Sequence, residues 1–490
     1  MTDKIFDIIS IIWFWIKDNT FYINIILGIT IVFFQRRNPT SVWAWLLLLY
    51  FIPILGFFLY LVIGHDYRKT KMFRTKEIED ELNGAIKTQE DFIRQKKIEL
   101  DGEHREYSDL VLYNLEANGA IYSKNNNVEI FTDGNEKFND LIGEMKNARK
   151  FIHIQYYIMS KGELLDRILD VLEEKANGGV EVRVLYDGMG GRFISKKNIK
   201  RMKNAGIKVG VFFPPILGRL NLRFNYRNHR KIVVIDGKTG YVGGFNVGEE
   251  YLGRKKKFGY WRDTHLKISG DAVTDLQVRF VLDWNYATKE NLFKEEKYFE
   301  KYISKDPGRM GIQIISSGPD SKRQEIRDNY LRLINKAKKS IYIQTPYFIP
   351  DEAVLQALNI AAMSGIDVKV MIPCKPDHPF VYWVTYSYSG DLLESGARIY
   401  CYDNGFLHAK GMVVDGIVSC YGTANMDMRS FALNFEVNAV IYDRQLSECL
   451  EAAFLKDLEH CSELTKYNYE RRSLPIRIKE QISRLLAPLM

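Results

Sequence analysis

The 490-residue chain contains no C-x-x-C pair, no glycine-rich loop of the kind that cradles a nucleotide's phosphates, and no carboxylate or Cys/His cluster at metal-ligand spacing. Its five cysteines (Cys374, Cys401, Cys420, Cys449, Cys461) all fall in the second half. An odd number at that spacing argues against a disulfide framework or a zinc site. It points to a reducing compartment, with all five as packing residues. Charge of one sign is scarce too: Lys+Arg exceed Asp+Glu by 69 − 61 = 8. That excess suits anionic lipid or nucleic acid, and suits plain solubility equally well. The length exceeds what one hydrophobic core usually serves, so two or more domains are expected.

What is present begins with apolar runs. Residues 41–64, SVWAWLLLLYFIPILGFFLYLVIG, carry no charge, and about 20 apolar residues span a bilayer. Trp43, Trp45 and Tyr60 stand where interfacial anchors belong. Upstream, 21–34 is shorter and spans only if preceding residues join it, which Lys17 and Asp18 limit. No small-residue cleavage site follows, so a cleaved signal peptide is not expected. The expectation for residues 1–66 is a transmembrane helical hairpin, with helices at about 15–35 and 42–64. Arg68, Lys69, Lys71, Arg74 and Lys76 follow the second run, against Arg36 and Arg37 between the two. That bias predicts a multi-pass protein of the cell membrane with its remaining mass in the cytoplasm.

After a charged, helix-patterned linker (67–118), the chain repeats itself. FNDLIGEMKNARKFIHIQYYI and NYLRLINKAKKSIYIQTPYFI each read as an amphipathic helix followed by a strand. Ala148 and Ala337, Ile152 and Ile341, and Gln155 and Gln344 are each 189 apart by subtraction. Strands VEVRVLYDG (180–188) and IDVKVMIPC (366–374) follow, each behind a helical pattern. Alternating strands and helices predict an α/β fold of two similar lobes, 119–300 and 301–490, with mixed, largely parallel sheets flanked by helices. Two such lobes imply a pseudo-twofold axis with a site between them.

Each lobe carries one further motif, His229-x-Lys231-x4-Asp236 in the first and His408-x-Lys410-x4-Asp415 in the second. Each ends in a glycine-rich tail, Gly243-Gly244-Phe245-Asn246 and Gly422-Thr423-Ala424-Asn425. The motifs lie 408 − 229 = 179 apart, so the first lobe holds about ten extra residues within 214–228. On a strand, residues i and i+2 face the same way, which puts each histidine beside its lysine. Lysine neutralises phosphate charge, histidine attacks phosphorus or moves a proton, and Asn246 and Asn425 can donate to a phosphate oxygen. Asp236 and Asp415 stand at an odd offset and do not point beside the histidines; they more naturally fix the following turn. The carboxylates that orient the imidazoles must then come from elsewhere, and Asp263 in YWRDTH and Glu436 in RSFALNFEVN are the candidates. One such motif has little specificity. Two, at matching places in a repeat, mark a site, because packing has no use for paired His and Lys.

These residues resemble the phospholipase D superfamily, whose members carry paired H-x-K-x4-D-x6-G-[GST]-x-[NS] motifs. Within it the chain resembles the bacterial cardiolipin synthase family over essentially its whole length, through the membrane segment, NPTSVWAWLL, GYVGGFNVGEEYLG, FGYWRDTH, YIQTPYFIPD, KPDHPF and GTANMDMRSFALNFEVNA. The resemblance implies metal-independent, cofactor-free phosphatidyl transfer between two phosphatidylglycerol molecules, giving cardiolipin and glycerol. It places His229, Lys231, Asp236, His408, Lys410 and Asp415 in the catalytic motifs, with His229 as nucleophile and His408 as acid and base. It implies a membrane, not a nucleic acid, as partner. A phospholipase D hydrolase, a phosphatidylserine synthase and a membrane-tethered lipid binder remain as alternatives.

Around the motifs, Ile216, Leu217, Arg219, Leu220, Leu222, Arg223 and Arg227 of the insertion suit either a surface loop or lipid contact. Arg254 to Lys257 read as a solvated face. The C-terminal IRIKEQISRLLAPLM spaces Ile478, Ile482, Leu485, Leu486 and Leu489 helically, an amphipathic segment for docking on a lobe or on the bilayer. His65, His104, His153 and His460 read as structural, and no role falls to His265 or His378.

Overall fold

In a computed structural model, residues 2–34, 39–63, 100, 102–214, 225–300, 308–321, 323–375 and 377–487 are described. The 67–99 part of the linker, the basic residues flanking the apolar runs, Leu489 and all the named insertion residues except Arg227 lie outside them, as does the side chain of Leu486. The described residues form two compact units: the N-terminal helices with Asn225 and Tyr226, and all the rest.

The N-terminal unit breaks the second of the two expected helices. Its first helix, α1 (Thr2–Ile29), continues through a π-helical turn (Thr30–Phe34), and Phe14–Phe33 is long and apolar enough to cross a membrane. The second run, expected as one span, is instead α2 (Pro39–Phe51) and α3 (Pro53–Ile63). Pro53 has no N–H and cannot continue a helix beyond its first turn. The chain folds back there: the Trp45 and Tyr60 rings stand 5.4 Å apart, where a straight helix would separate them by about 22 Å. Gly56 lies so close to the backbone of Leu48 and Leu49 that a Cβ there would overlap it. The Leu49 carbonyl, which Pro53 cannot satisfy, accepts from Asn24 Nδ2 of α1 at 3.0 Å, and the Pro53 carbonyl accepts from the same amide at 3.1 Å.

The large unit is built on one sheet in two matching halves. The first lobe supplies β1 (Ser123–Phe131), β2 (Phe151–Tyr156), β3 (Glu181–Asp187), β4 (Lys208–Phe212), β5 (Arg227–Asn228), β6 (Ile232–Ile235), β7 (Thr239–Gly243), β8 (Trp261–Arg262) and β9 (His265–Gly270). The second supplies β10 (Met310–Ser317), β11 (Ser340–Gln344), β12 (Asp367–Pro373), β13 (Arg398–Tyr402), β14 (Phe406–Leu407), β15 (Gly411–Val414), β16 (Val418–Gly422), β17 (Asn434–Tyr442) and β18 (Cys461–Leu464). The order β1-β9-β7-β6-β2-β3-β4 is repeated as β10-β17-β16-β15-β11-β12-β13-β18, and antiparallel pairing of β1 with β10 joins the halves. The sheet is mixed, as expected, but not largely parallel. Apart from the two-residue β5 beside β17, only β2-β3-β4 and β11-β12-β13, which crossover helices connect, run parallel within it. The motif strands β6 and β15 return through tight turns and pair antiparallel with both neighbours. Short turns permit only that direction.

Helices cover both faces. The amphipathic helix Gly134–Asn147 buries Phe138, Leu141, Ile142 and Met145, and Glu325–Lys336 buries Ile326, Tyr330, Leu333 and Ile334 in the other lobe. Residues 108–118, read as part of a charged linker, form α4 (Ser108–Asn118), whose Leu110, Val111 and Leu115 are buried. Leu110 and Val111 join the second lobe's hydrophobic core, and Asn114 and Asn118 bond Gln313 and the Ser316 carbonyl there.

Candidate active site

Each histidine sits between a two-residue strand and its motif strand. β5 pairs in parallel with the start of β17, and the His229 N–H donates to the Phe435 carbonyl at 3.0 Å. β14 pairs in parallel with β8, and the His408 N–H donates to the Arg262 carbonyl at 2.7 Å. Each lobe thus presents its histidine against the strand of the other lobe that carries a carboxylate. The side chains meet accordingly. His229 Nδ1 donates to Glu436 at 2.9 and 3.0 Å, and His408 Nδ1 donates to Asp263 at 2.6 Å. Both expected orienting carboxylates are therefore beside an imidazole, and each acts across the lobe boundary.

A carboxylate accepts only, so Nδ1 must carry the proton and Nε2 keeps its lone pair. Glu436, wholly buried, also accepts from Thr423 Oγ1 (2.6 Å), Ser430 Oγ (3.0 Å) and Asn434 Nδ2 (3.3 Å). Asp263 accepts the Thr264 N–H at 2.8 Å. Motif spacing gave no sign of Thr423, Ser430 and Asn434 as supports, because their role appears only once Glu436 is placed. Behind the rings, Tyr157 stands edge-on to His229 at 5.0 Å and Trp261 lies 5.0 Å from His408.

The lysines lie on the same faces as their histidines. Lys231 Nζ donates to the His229 carbonyl at 2.7 Å. Lys410 Nζ donates to the His408 carbonyl and rests 2.8 Å from His408 Nδ1. Burial lowers both: Lys410 falls to about 8, with Asp263 and Glu436 opposing, and Lys231 is well depressed. Burial likewise depresses His229, helped by Lys231 and Lys410 and opposed by Glu436. It takes His408 to about 4, with the Lys410 charge adding to it. Asp263 and Glu436 show the reverse balance. Burial raises them, but charge and hydrogen bonds from histidine and lysine more than offset it, so both end below the usual carboxylate range. Lys231 and Lys410 each feel both carboxylates. The two motifs therefore form one electrostatic site, in which two imidazoles, two lysines and two carboxylates act on one another's charge.

The remaining expected residues divide. Asn246 is buried, its Oδ1 accepting the Ile158 N–H at 3.1 Å and its Nδ2 donating to Tyr251 Oη at 3.0 Å. Asn425 donates to Asp427 at 2.9 Å, and its buried Oδ1 has no partner among the described residues. Each amide nitrogen carries a second N–H. Asp236 and Asp415 do not join the cluster. Each lies beyond its motif strand with positive φ (54° and 56°). The Asp236 carboxylate accepts the N–H groups of Arg149, Lys150 and Phe151 at 2.7–2.9 Å. The Asp415 carboxylate does the same for Lys338, Lys339 and Ser340 at 2.7–2.9 Å. What they fix is the entry to β2 and β11, not the turn that follows them.

Arg230 and Arg262 carry the second layer. Arg230 pairs with Asp283 at 2.6 and 2.8 Å and donates to the Glu436 carbonyl at 3.1 Å. Arg262 pairs with Asp457 at 2.7 and 3.0 Å. Gln155 and Gln344, visible as a repeat pair, donate to those same aspartates at 2.5 and 2.8 Å. His265 and His153 are buried outside the cluster.

Two like lobes, each with an H-x-K-x4-D motif at the shared site, define a member of the phospholipase D superfamily. A family profile described as "Cardiolipin synthase, PLD-like domain" matches residues 141–268 and again 330–458, and one described as "Phospholipase_D-nuclease N-terminal" matches 23–65. The cardiolipin synthase of Oceanobacillus iheyensis is 50% identical over 473 residues, 96% of this chain and 98% of that one. The cardiolipin synthase of Staphylococcus aureus strain Mu50 is 50% identical over 479 residues, 96% and 95% of the two chains. The chain belongs to the cardiolipin synthase family. Among solved structures, the phosphatidylserine synthase of Haemophilus influenzae shares the fold, with a TM-score of 0.57 at 18% identity over 77% of this chain and 97% of that one.

Proposed function

We propose that the protein makes cardiolipin by moving a phosphatidyl group from one phosphatidylglycerol to another. The observation that carries this reading is the pair of imidazoles, each held by a carboxylate from the opposite lobe. His229 Nε2 attacks the phosphorus of the first lipid, a P–N bond forms, and the P–O bond to the glycerol headgroup breaks. His408, protonated once the phosphate anion enters and offsets the lysine charges, gives its Nε2 proton to the departing glycerol oxygen. A second phosphatidylglycerol then presents its terminal hydroxyl. His408 takes that proton, the oxygen attacks phosphorus, and the P–N bond breaks. Lys231, Lys410, Asn246 and Asn425 surround the oxygens on which charge accumulates, prearranged rather than recruited. Asp236 and Asp415, though part of both motifs, act in this scheme by holding the scaffold.

The region around α1 anchors the protein in the membrane, and the basic residues after Gly64 favour lobes on the cytoplasmic side. The domain limits that fit are a membrane region to about 66 and lobes at 119–300 and 301–490, with 108–118 packed on the second. Supplying the purified protein with phosphatidylglycerol alone tests the reaction. Cardiolipin with an equal amount of free glycerol is expected; phosphatidic acid without cardiolipin would make the protein a hydrolase instead.

A further inference from the structure

The C-terminal helix Leu474–Leu486 is docked inside out. It packs on the helix Pro379–Glu394 with its polar residues inward: Glu480 is wholly buried and Ser483 nearly so. Arg472 bonds both Glu480 oxygens at 2.8 and 2.9 Å, and Arg484 pairs with Asp391 at 2.6 Å. Tyr469 fills the hollow left by Gly390, where a Cβ would overlap its ring. These contacts fix the helix's rotation. Its apolar stripe, Leu474, Ile478, Ile482 and Leu485, faces outward, 50–79% exposed. Of the two dockings that the sequence allowed, the apolar positions therefore do not serve the lobe.

We infer that this stripe is an interfacial contact of the catalytic unit with an anionic lipid bilayer. Four large apolar side chains in one line at i, i+4, i+8 and i+11 are what an in-plane helix immerses. The charge beside them has the matching sign: residues 466–486 carry six Lys/Arg against two Glu, one of which, Glu480, is buried and neutralised. Arg471, Arg477 and Lys479 are exposed, and Tyr467, 63% exposed on the preceding helical turn, is an interfacial residue type. The helix is also linked to the site through buried, packed residues. Ala487 packs with Val384 and Ile349. Ile349 is bridged to Asp427, which holds Asn425. A bilayer seated on this helix lies at one end of a short packed path to Asn425, where the proposed reaction brings a lipid headgroup. The contact does not depend on which reaction the site performs.

The test uses full-length protein in proteoliposomes, with Cys449 replaced by Ser and an environment-sensitive fluorophore on Ile482→Cys. Blue-shifted emission, quenched by lipids labelled near the headgroup in phosphatidylglycerol vesicles and relieved in high salt, is the expected result. Solvent-like emission that no quenching lipid affects would overturn the inference. A shielded probe insensitive to quenching lipids would also overturn it, assigning the stripe to another part of the chain or to a second copy. In a companion variant, Ile478→Glu with Ile482→Glu, turnover on vesicles should fall about tenfold or more, while turnover on detergent-dispersed lipid is unchanged. Equal loss in both would overturn the inference as well.

Discussion

Gly244 and Thr423 hold the same place in the two motifs and differ because the carboxylates beside them differ. A Cβ at Gly244 would overlap Asp263 Oδ1, so the short aspartate reaches His408 only past bare backbone. Glutamate is one methylene longer, and at Thr423 there is room for a hydroxyl that donates to it. The imidazoles are also unlike free histidine. His229 is held below the ordinary value, mainly by burial, so as the pH falls it stays unprotonated and nucleophilic longer than a solvent-exposed histidine. The acid limb of kcat/KM is expected below pH 6.5. His408 has the same sign. At about 4 it stays neutral in the folded protein while the unfolded chain takes up its proton, so stability is lost as pH falls from about 6.5 to about 4. That share is roughly 3 kcal/mol. Urea midpoints measured across this range should decline less steeply for His408→Gln than for the unaltered protein.

At the scale of elements, the two motif aspartates hold the starts of β2 and β11. Removing either leaves three N–H groups without their acceptor and puts a new residue at positive φ. Asp415→Ala should cost about 1–3 kcal/mol of stability, and Asp415→Asn less, since asparagine tolerates that φ and keeps one oxygen. Thermal unfolding of the two variants checks the order. Strand parity alone kept these aspartates away from the histidines, and also directed attention to Asp263 and Glu436. Pairing direction was harder to see, because parallel and antiparallel strands buried on both faces read alike as apolar runs. Pro53 was present in the uncharged run, but a helix that stops and one that folds back share that proline. Asn24 bonding the Leu49 and Pro53 carbonyls distinguishes them, and no local pattern foretells it. The C-terminal helix shows another limit. Periodicity finds an apolar stripe but does not say which side it faces, and buried Glu480 decided that.

At the scale of the molecule, the swap of carboxylates was illegible, because contacts 207 and 145 residues apart in sequence leave no local trace. In the proposed mechanism it divides the chemistry between lobes: Glu436 of the second lobe serves the nucleophile, and Asp263 of the first serves the proton donor. Glu436→Gln and Asp263→Asn should each lower turnover of phosphatidylglycerol about 10²–10⁴-fold. A donor with a nitrophenolate leaving group, which departs unprotonated, should separate them. Asp263→Asn then regains the first step and accumulates phosphatidyl-histidine, whereas Glu436→Gln does not, as trapping of the labelled intermediate would show.

Because each half lends its acid group to its neighbour, a lone repeat would hold an idle imidazole and an idle acid that never meet. Two separate copies facing each other would complete both pairs, but only when crowded enough to associate. Tying them into one polypeptide frees the chemistry from dilution, and it lets the two ends of the site diverge, one toward attack and the other toward proton traffic.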